Sequence, residues 1–215
     1  MNEVLIKNFV AAAIASLIFK GCASTTSPLA TPNSSAVLQQ SGAAYARGDY
    51  GGALEGFRKL AEQGDARAQY NMGRMYSDGF GVPKDNVQAF AWYVKAADQG
   101  LDRAQNNVGW AYAGAVGVSK DEALAVAWYR KAAEQGLAQA QLNLGVMYAS
   151  GRGVSQDEQT AYFWWLLASA QTPVEGSQEA ARNRDIAERR LTSVQLSAAR
   201  SAARDWRPKI SPRIP

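Results

Sequence analysis

A chain of 215 residues, 47% hydrophobic and 20% charged, can bury a sizeable core and is too apolar for wholesale disorder. It has no histidine, which excludes a Ser-His-Asp triad, a Cys-His pair and any imidazole metal ligand. Its one cysteine, Cys22, excludes an internal disulfide and a zinc-thiolate cluster. The net charge of +4 is unevenly placed: residues 36–171 hold 12 Lys and Arg against 13 Asp and Glu, and residues 176–215 hold 9 against 4. A neutral body with a basic end lacks the long positive footprint of a nucleic-acid binder. The basic end reads as a solvated helix face, with an anionic surface or partner as the alternative.

The chain opens with Lys7 and then residues 9–19, an apolar run of 11 residues without a charge. That is short for a membrane span and suits the core of a signal peptide over residues 1–21, a buried helix being the other reading. Residues 22–35 are small, polar and proline-bearing, as in a flexible tether. Cys22 stands where the apolar run ends, after Phe19, Lys20 and Gly21. The arrangement resembles a bacterial lipoprotein signal, which implies cleavage before Cys22 and a lipid on its thiol. Lys20 and Phe19 depart from the usual small residue and leucine, so cleavage after Ala23 without lipid, or an uncleaved anchor, stays open.

From residue 64 onward the sequence is periodic. Gly64, Gly100 and Gly136 are 36 residues apart, and in the same register run Ala68, Ala104 and Ala140; Gly73, Gly109 and Gly145; Tyr76, Tyr112 and Tyr148; Trp92, Trp128 and Trp164. Columns this regular mark a repeat protein. Each unit reads as two helices, near residues 66–77 and 86–98 in the first, each with one apolar stripe. Between them "SDGFGVPKD" supplies turn glycines and a proline stop. Asp85, Asp121 and Asp157 are placed as N-caps of the second helices. Gly73 is costly inside a helix, so its recurrence predicts a close approach of the two helices of a hairpin.

The units fall at residues 65–100, 101–136 and 137–171, preceded by a partial unit over 36–64 with Asp49, Ala53 and Lys59 in register. A capping helix pair follows over 176–207, then a tail over 208–215. Thr192 and Gln195 form a capping box there, with Leu191 and Leu196 placed as a hydrophobic staple. The third unit's "YFWWLLA" is more apolar than its counterparts, and the pair is expected to cover it.

The motif A-Q-x-N-x-G-x-x-Y, then G-V-x-x-D-x-x-x-A-x-x-W-Y-x-K-A-A-x-Q-G, resembles the Sel1-like repeat, a longer-looped relative of the tetratricopeptide repeat. Ala115 replaces a loop glycine, and Trp165 and Leu167 replace the Tyr and Lys of the third unit. The resemblance implies an all-α fold, an α-solenoid that binds other proteins; many bacterial relatives are exported or envelope-anchored. A cysteine-rich group of relatives with β-lactam-binding activity needs two cysteines per repeat, which this chain does not have.

The carboxylate pairs Asp121/Glu122 and Asp157/Glu158 sit at helix starts, where capping explains them better than acid–base catalysis. Tryptophans and tyrosines of the second helices lie at stripe spacing and are expected in the core. The expected function is therefore a non-catalytic scaffold or adaptor, periplasmic or anchored to the outer membrane, with a protein or peptide partner, no cofactor, no metal and no nucleic acid. A membrane-tethered assembly factor is the alternative, and a β-lactam-binding or hydrolysing enzyme a remote one. In such solenoids the first helices line the concave side. Taking Ala68, Met72 and Tyr76 as inward places Arg67, Tyr70 and Arg74 in the groove. The equivalent positions are Arg103, Asn106 and Trp110, then Gln139, Leu142 and Val146. Arginines beside aromatics suit a peptide with carboxylates and an apolar anchor.

Overall fold

The architecture follows from the 36-residue period, because no single hairpin can bury both faces of its helices alone. A computed structural model describes residues 32–171 and 174–209, in which ten helices and no strand occur. Three hairpins carry the repeats: α3 (Ala66–Asp78) with α4 (Asn86–Asp98), α5 (Asp102–Gly114) with α6 (Glu122–Glu134), and α7 (Ala138–Ser150) with α8 (Glu158–Ser169). Before them stand α1 (Pro32–Ala46) and α2 (Tyr50–Glu62), and after them α9 (Ser177–Glu188) and α10 (Ser193–Asp205). From α1 to α9 each helix packs on its neighbours in sequence, and α10 turns back to pack on α8. The signal, Cys22 and most of the tether lie outside the described residues. Among the described residues no helix is long and apolar enough to cross a membrane.

The N-terminal unit corrects one expectation. Helix α1 begins at Pro32, inside the segment read as tether, and forms with α2 a hairpin whose loop is shorter than those of the three repeats. Its apolar residues explain this: Ala44 is buried, and Val37, Leu38 and Tyr45 pack against the core cluster that includes Phe57, Leu60 and Met72. That contact fixes the helix, and Pro32 is tolerated in its first turn, where no backbone donor is missed.

Capping follows the sequence reading. Asp85, Asp121 and Asp157 each accept backbone N–H groups two or three residues on, at 2.9 to 3.0 Å. Gly79 and Gly151 end the first helices in the left-handed conformation, and Ala115 does so in the second unit at φ 56. A side chain there costs about 1 kcal/mol. Replacing Ala115 by glycine is therefore expected to raise stability by about 0.5 kcal/mol, glycine's greater freedom when unfolded offsetting the rest. Urea denaturation of the two proteins measures this.

Three buried glutamines tie the units together. Gln69, Gln105 and Gln141 each donate a side-chain N–H to a carbonyl of the preceding hairpin, Ala61, Ala97 and Ala133, at 3.1 to 3.2 Å. Their side-chain oxygens accept from Gln99, Gln135 and Gln171, at 2.7, 2.7 and 2.9 Å. Gln141 is fully buried, so this satisfaction is needed. The tryptophan column behaves less uniformly than expected. Trp164 is in the core, whereas Trp92 and Trp128 are half-buried against the preceding unit's cluster, with the Lys95 and Lys131 ammonium groups 4.0 and 3.7 Å from their ring centres.

Candidate functional site

The nine first-helix positions separate into three environments, because the units meet different neighbours. At the N-terminal end, Arg74 donates to the Tyr45 hydroxyl at 3.2 Å and lies over its ring at 5.2 Å. Tyr70 leans on Tyr93, ring centres 5.8 Å apart, and packs against the first unit's core. Arg67 pairs with the N-cap Asp65 at 3.5 Å, and its Nε is buried without an acceptor. These side chains are partly committed to the fold.

The third unit is closed. Leu142 is only 2% exposed and packs under α9 and α10, which corrects its placement in an open groove. Val146 is partly buried against the same cluster. The segment leading into α9 covers them: a Cβ at Gly176 would stand 2.7 Å from the Gln139 side-chain oxygen and 3.3 Å from Leu142. Stacking a cap on the last hairpin uses the face that inner units leave open.

The second unit is open. Trp110 is 50% exposed, the guanidinium of Arg103 has no ion-pair partner among the described residues, and both lie on one face of α5 with Asn106 between them. Gln139 donates to Asn143 at 3.3 Å, and Asn143 donates to Asn106 at 3.0 Å. This relay engages the Asn106 oxygen and leaves its N–H groups as donors. Arginine, amide N–H and indole form a surface that offers donors and an apolar plate. Spacing alone could find the face. It could not find the cap that closes one end of it.

Carboxylates elsewhere are structural. Glu122 receives Lys120 at 2.9 Å and Arg152 of the next loop at 2.8 Å, and these hydrogen bonds hold its carboxyl below the usual range. Hydrogen bonding by Thr160 lowers Asp157 in the same way. Burial raises Tyr93 well above the ordinary tyrosine value and pushes Tyr129 up to about 12, as expected of core phenols. Between α6, α8 and α10 lies a cleft of about 340 Å³, where Arg130 donates to the Tyr148 hydroxyl at 2.7 Å under Ala199 and Ala202. Among the described residues no group of acidic or cysteine side chains is placed to hold a metal.

Comparison with known proteins agrees with the repeat register. A family model described as the Sel1 repeat matches residues 66–101, 102–137 and 138–173, units that begin one residue later than those read from the glycines. No curated protein matches. Among solved structures, a Sel1 repeat protein from Oxalobacter formigenes is 32% identical with a TM-score of 0.64, over 70% of this chain and 58% of that one. The protective antigen c5321 of uropathogenic Escherichia coli strains, which displays an SLR fold, is 33% identical with a TM-score of 0.52, over 85% of this chain and 47% of that one. This chain thus spans about half the length of these two proteins. Sel1 repeats generally mediate protein–protein interaction and are typically non-catalytic. With three consecutive matched units, each a helix hairpin packed on the next, the chain belongs to the Sel1 repeat family.

Proposed function

We propose that this chain is an exported, non-catalytic adaptor of the bacterial cell envelope, which docks a partner segment on the first-helix face around Trp110. The observation that carries the reading is a large aromatic left half-exposed beside an unpaired arginine, in a fold whose other tryptophans are more deeply buried or stacked under lysine. The partner segment is acidic with an apolar side chain: carboxylate meets Arg103 and the Asn106 amide, and the apolar group covers the indole. The apolar N-terminal run supports export, and Cys22 supplies the point for a lipid anchor.

Crosslinking in the native envelope would capture the partner. Trp110→Ala and Arg103→Ala are each expected to weaken its binding by roughly 2 kcal/mol, with folding unchanged by circular dichroism. If both bind like wild type, the face is wrongly assigned. A Cys22 variant that fails while these two succeed would favour a membrane-tethered assembly factor.

A further inference from the structure

The segment after α10, residues 206–209, lies against the end of α6, and the corner that holds it recurs. After α10 the chain crosses from α8 to the end of α6. There the backbone N–H of Lys209 donates to the Glu134 carbonyl at 2.7 Å, and its ammonium reaches the Glu134 carboxylate at 2.9 Å. Pro208 and Trp206 lie over Gly136: a Cβ there would stand 3.5 Å from Pro208 Cβ and 3.7 Å from the indole. The chemistry is that of a helix C-terminus. Last-turn carbonyls lack helical donors, the helix end is negative, and an acidic side chain adds charge. The adjoining glycine leaves room for a ring.

The same corner is built twice more. Glu62, Asp98 and Glu134 each end a second helix, and Gly64, Gly100 and Gly136 follow at φ 95, 93 and 97. Lys95 stands one turn before Asp98 as Lys131 stands one turn before Glu134, and both lysines are held over a tryptophan instead of neutralising the acid. Among the described residues Asp98 and Glu62 are exposed and have no ion-pair partner. The Gln135 amide donates to the Gly100 carbonyl at 3.0 Å, so the occupied corner and the next one lie side by side along the edge of the repeats.

We infer that the Asp98–Gly100 corner is a docking site for an extended segment of another chain that carries proline followed by lysine or arginine. It binds as Pro208 and Lys209 bind at Glu134, through one main-chain N–H, one cation and one ring on glycine. The partner segment of this corner is basic, opposite in charge to the one proposed for the Trp110 face.

The probe is a capped peptide with the sequence of residues 205–210, Asp-Trp-Arg-Pro-Lys-Ile, titrated into the isotope-labelled protein and followed by amide NMR signals. An intramolecular contact needs little intrinsic affinity, so dissociation constants in the millimolar range are expected. Signals of Asp98, Gln99 and Gly100 should move. Asp98→Asn, or a peptide with glutamine for lysine, should weaken that response about threefold. The proposal fails if only signals at Glu134–Gly136 move, which is exchange with the chain's own tail, or if Asp98→Asn has no effect. It also fails if the corner responds only after residues 210–215 are removed. Pro212 and Arg213 in that stretch repeat the Pro–cation pair, so the site would then belong to this chain's own end.

Discussion

A chain ending at Gln171 is expected to lose cooperative melting and to aggregate. Without α9 and α10 the outer face of the last hairpin meets water, including Leu142, Tyr162 and Trp165, which are at most 5% exposed when capped. Uncovering a buried side chain of this size costs about 1.5 to 3 kcal/mol. Three of them amount to a large part of the roughly 5 to 15 kcal/mol that stabilises a domain. Polar ties are lost as well. Arg200 donates to the Tyr162 hydroxyl at 3.1 Å, Arg184 donates to Ser169 at 3.1 Å, and Arg190 pairs with Glu158 at 3.1 Å. These two hydrogen bonds and one exposed ion pair contribute little each, so the apolar face decides the outcome. Calorimetry and size-exclusion chromatography would show it. A soluble truncated chain with an unchanged transition would mean that the hairpin stands without a cover.

The cap also explains why the fold was more legible in the sequence than the site. Several helix starts were readable because they rest on local bonds: the Asp85 carboxylate accepts from Val87 and Gln88, and the Thr192 hydroxyl from Gln195. The repeat register was readable because packing columns cannot vary. The proposed binding face was readable only as a set of columns, since sequence position says nothing about what a neighbouring element covers. Gln139, Leu142 and Val146 occupy the same positions as Arg103, Asn106 and Trp110, yet α9 and its lead-in lie over them. Similarly, Gln69, Gln105 and Gln141 fall in the quoted motif, but nothing local shows that their amides reach back eight residues and are met by glutamines 30 residues on. The tail at Glu134 is a contact across 75 residues with no pattern to announce it.

Gly73→Ala is expected to destabilise the protein, although alanine is the better helix former. Propensity favours alanine by about 1 kcal/mol at an interior helix position. Against this, a Cβ at residue 73 would stand 2.5 Å from Cδ1 and Cε1 of Tyr93, closer than atoms can approach. The ring cannot easily step aside: it is buried, with the Tyr70 ring beside it at 5.8 Å between centres. Overpacking of this kind costs about 1 to 3 kcal/mol, which exceeds the propensity gain over most of its range. A net loss of about 1 kcal/mol is expected for alanine, and about 3 kcal/mol for Gly73→Val, whose branched side chain adds to the clash. Chemical denaturation measures both. The cause is isolated by a double-mutant cycle with Tyr93→Leu, which removes the ring. Gly73→Ala should then become neutral or stabilising, with a coupling energy of about 1 kcal/mol or more. If alanine stabilises the protein with Tyr93 intact, the two helices have room to part, and the recurrence at Gly109 and Gly145 needs another cause. Gly145 faces the sterner version of the same test. Its partner is Trp165, whose indole N–H donates to the Leu142 carbonyl at 3.2 Å, so a side chain at residue 145 would displace a hydrogen bond along with a ring.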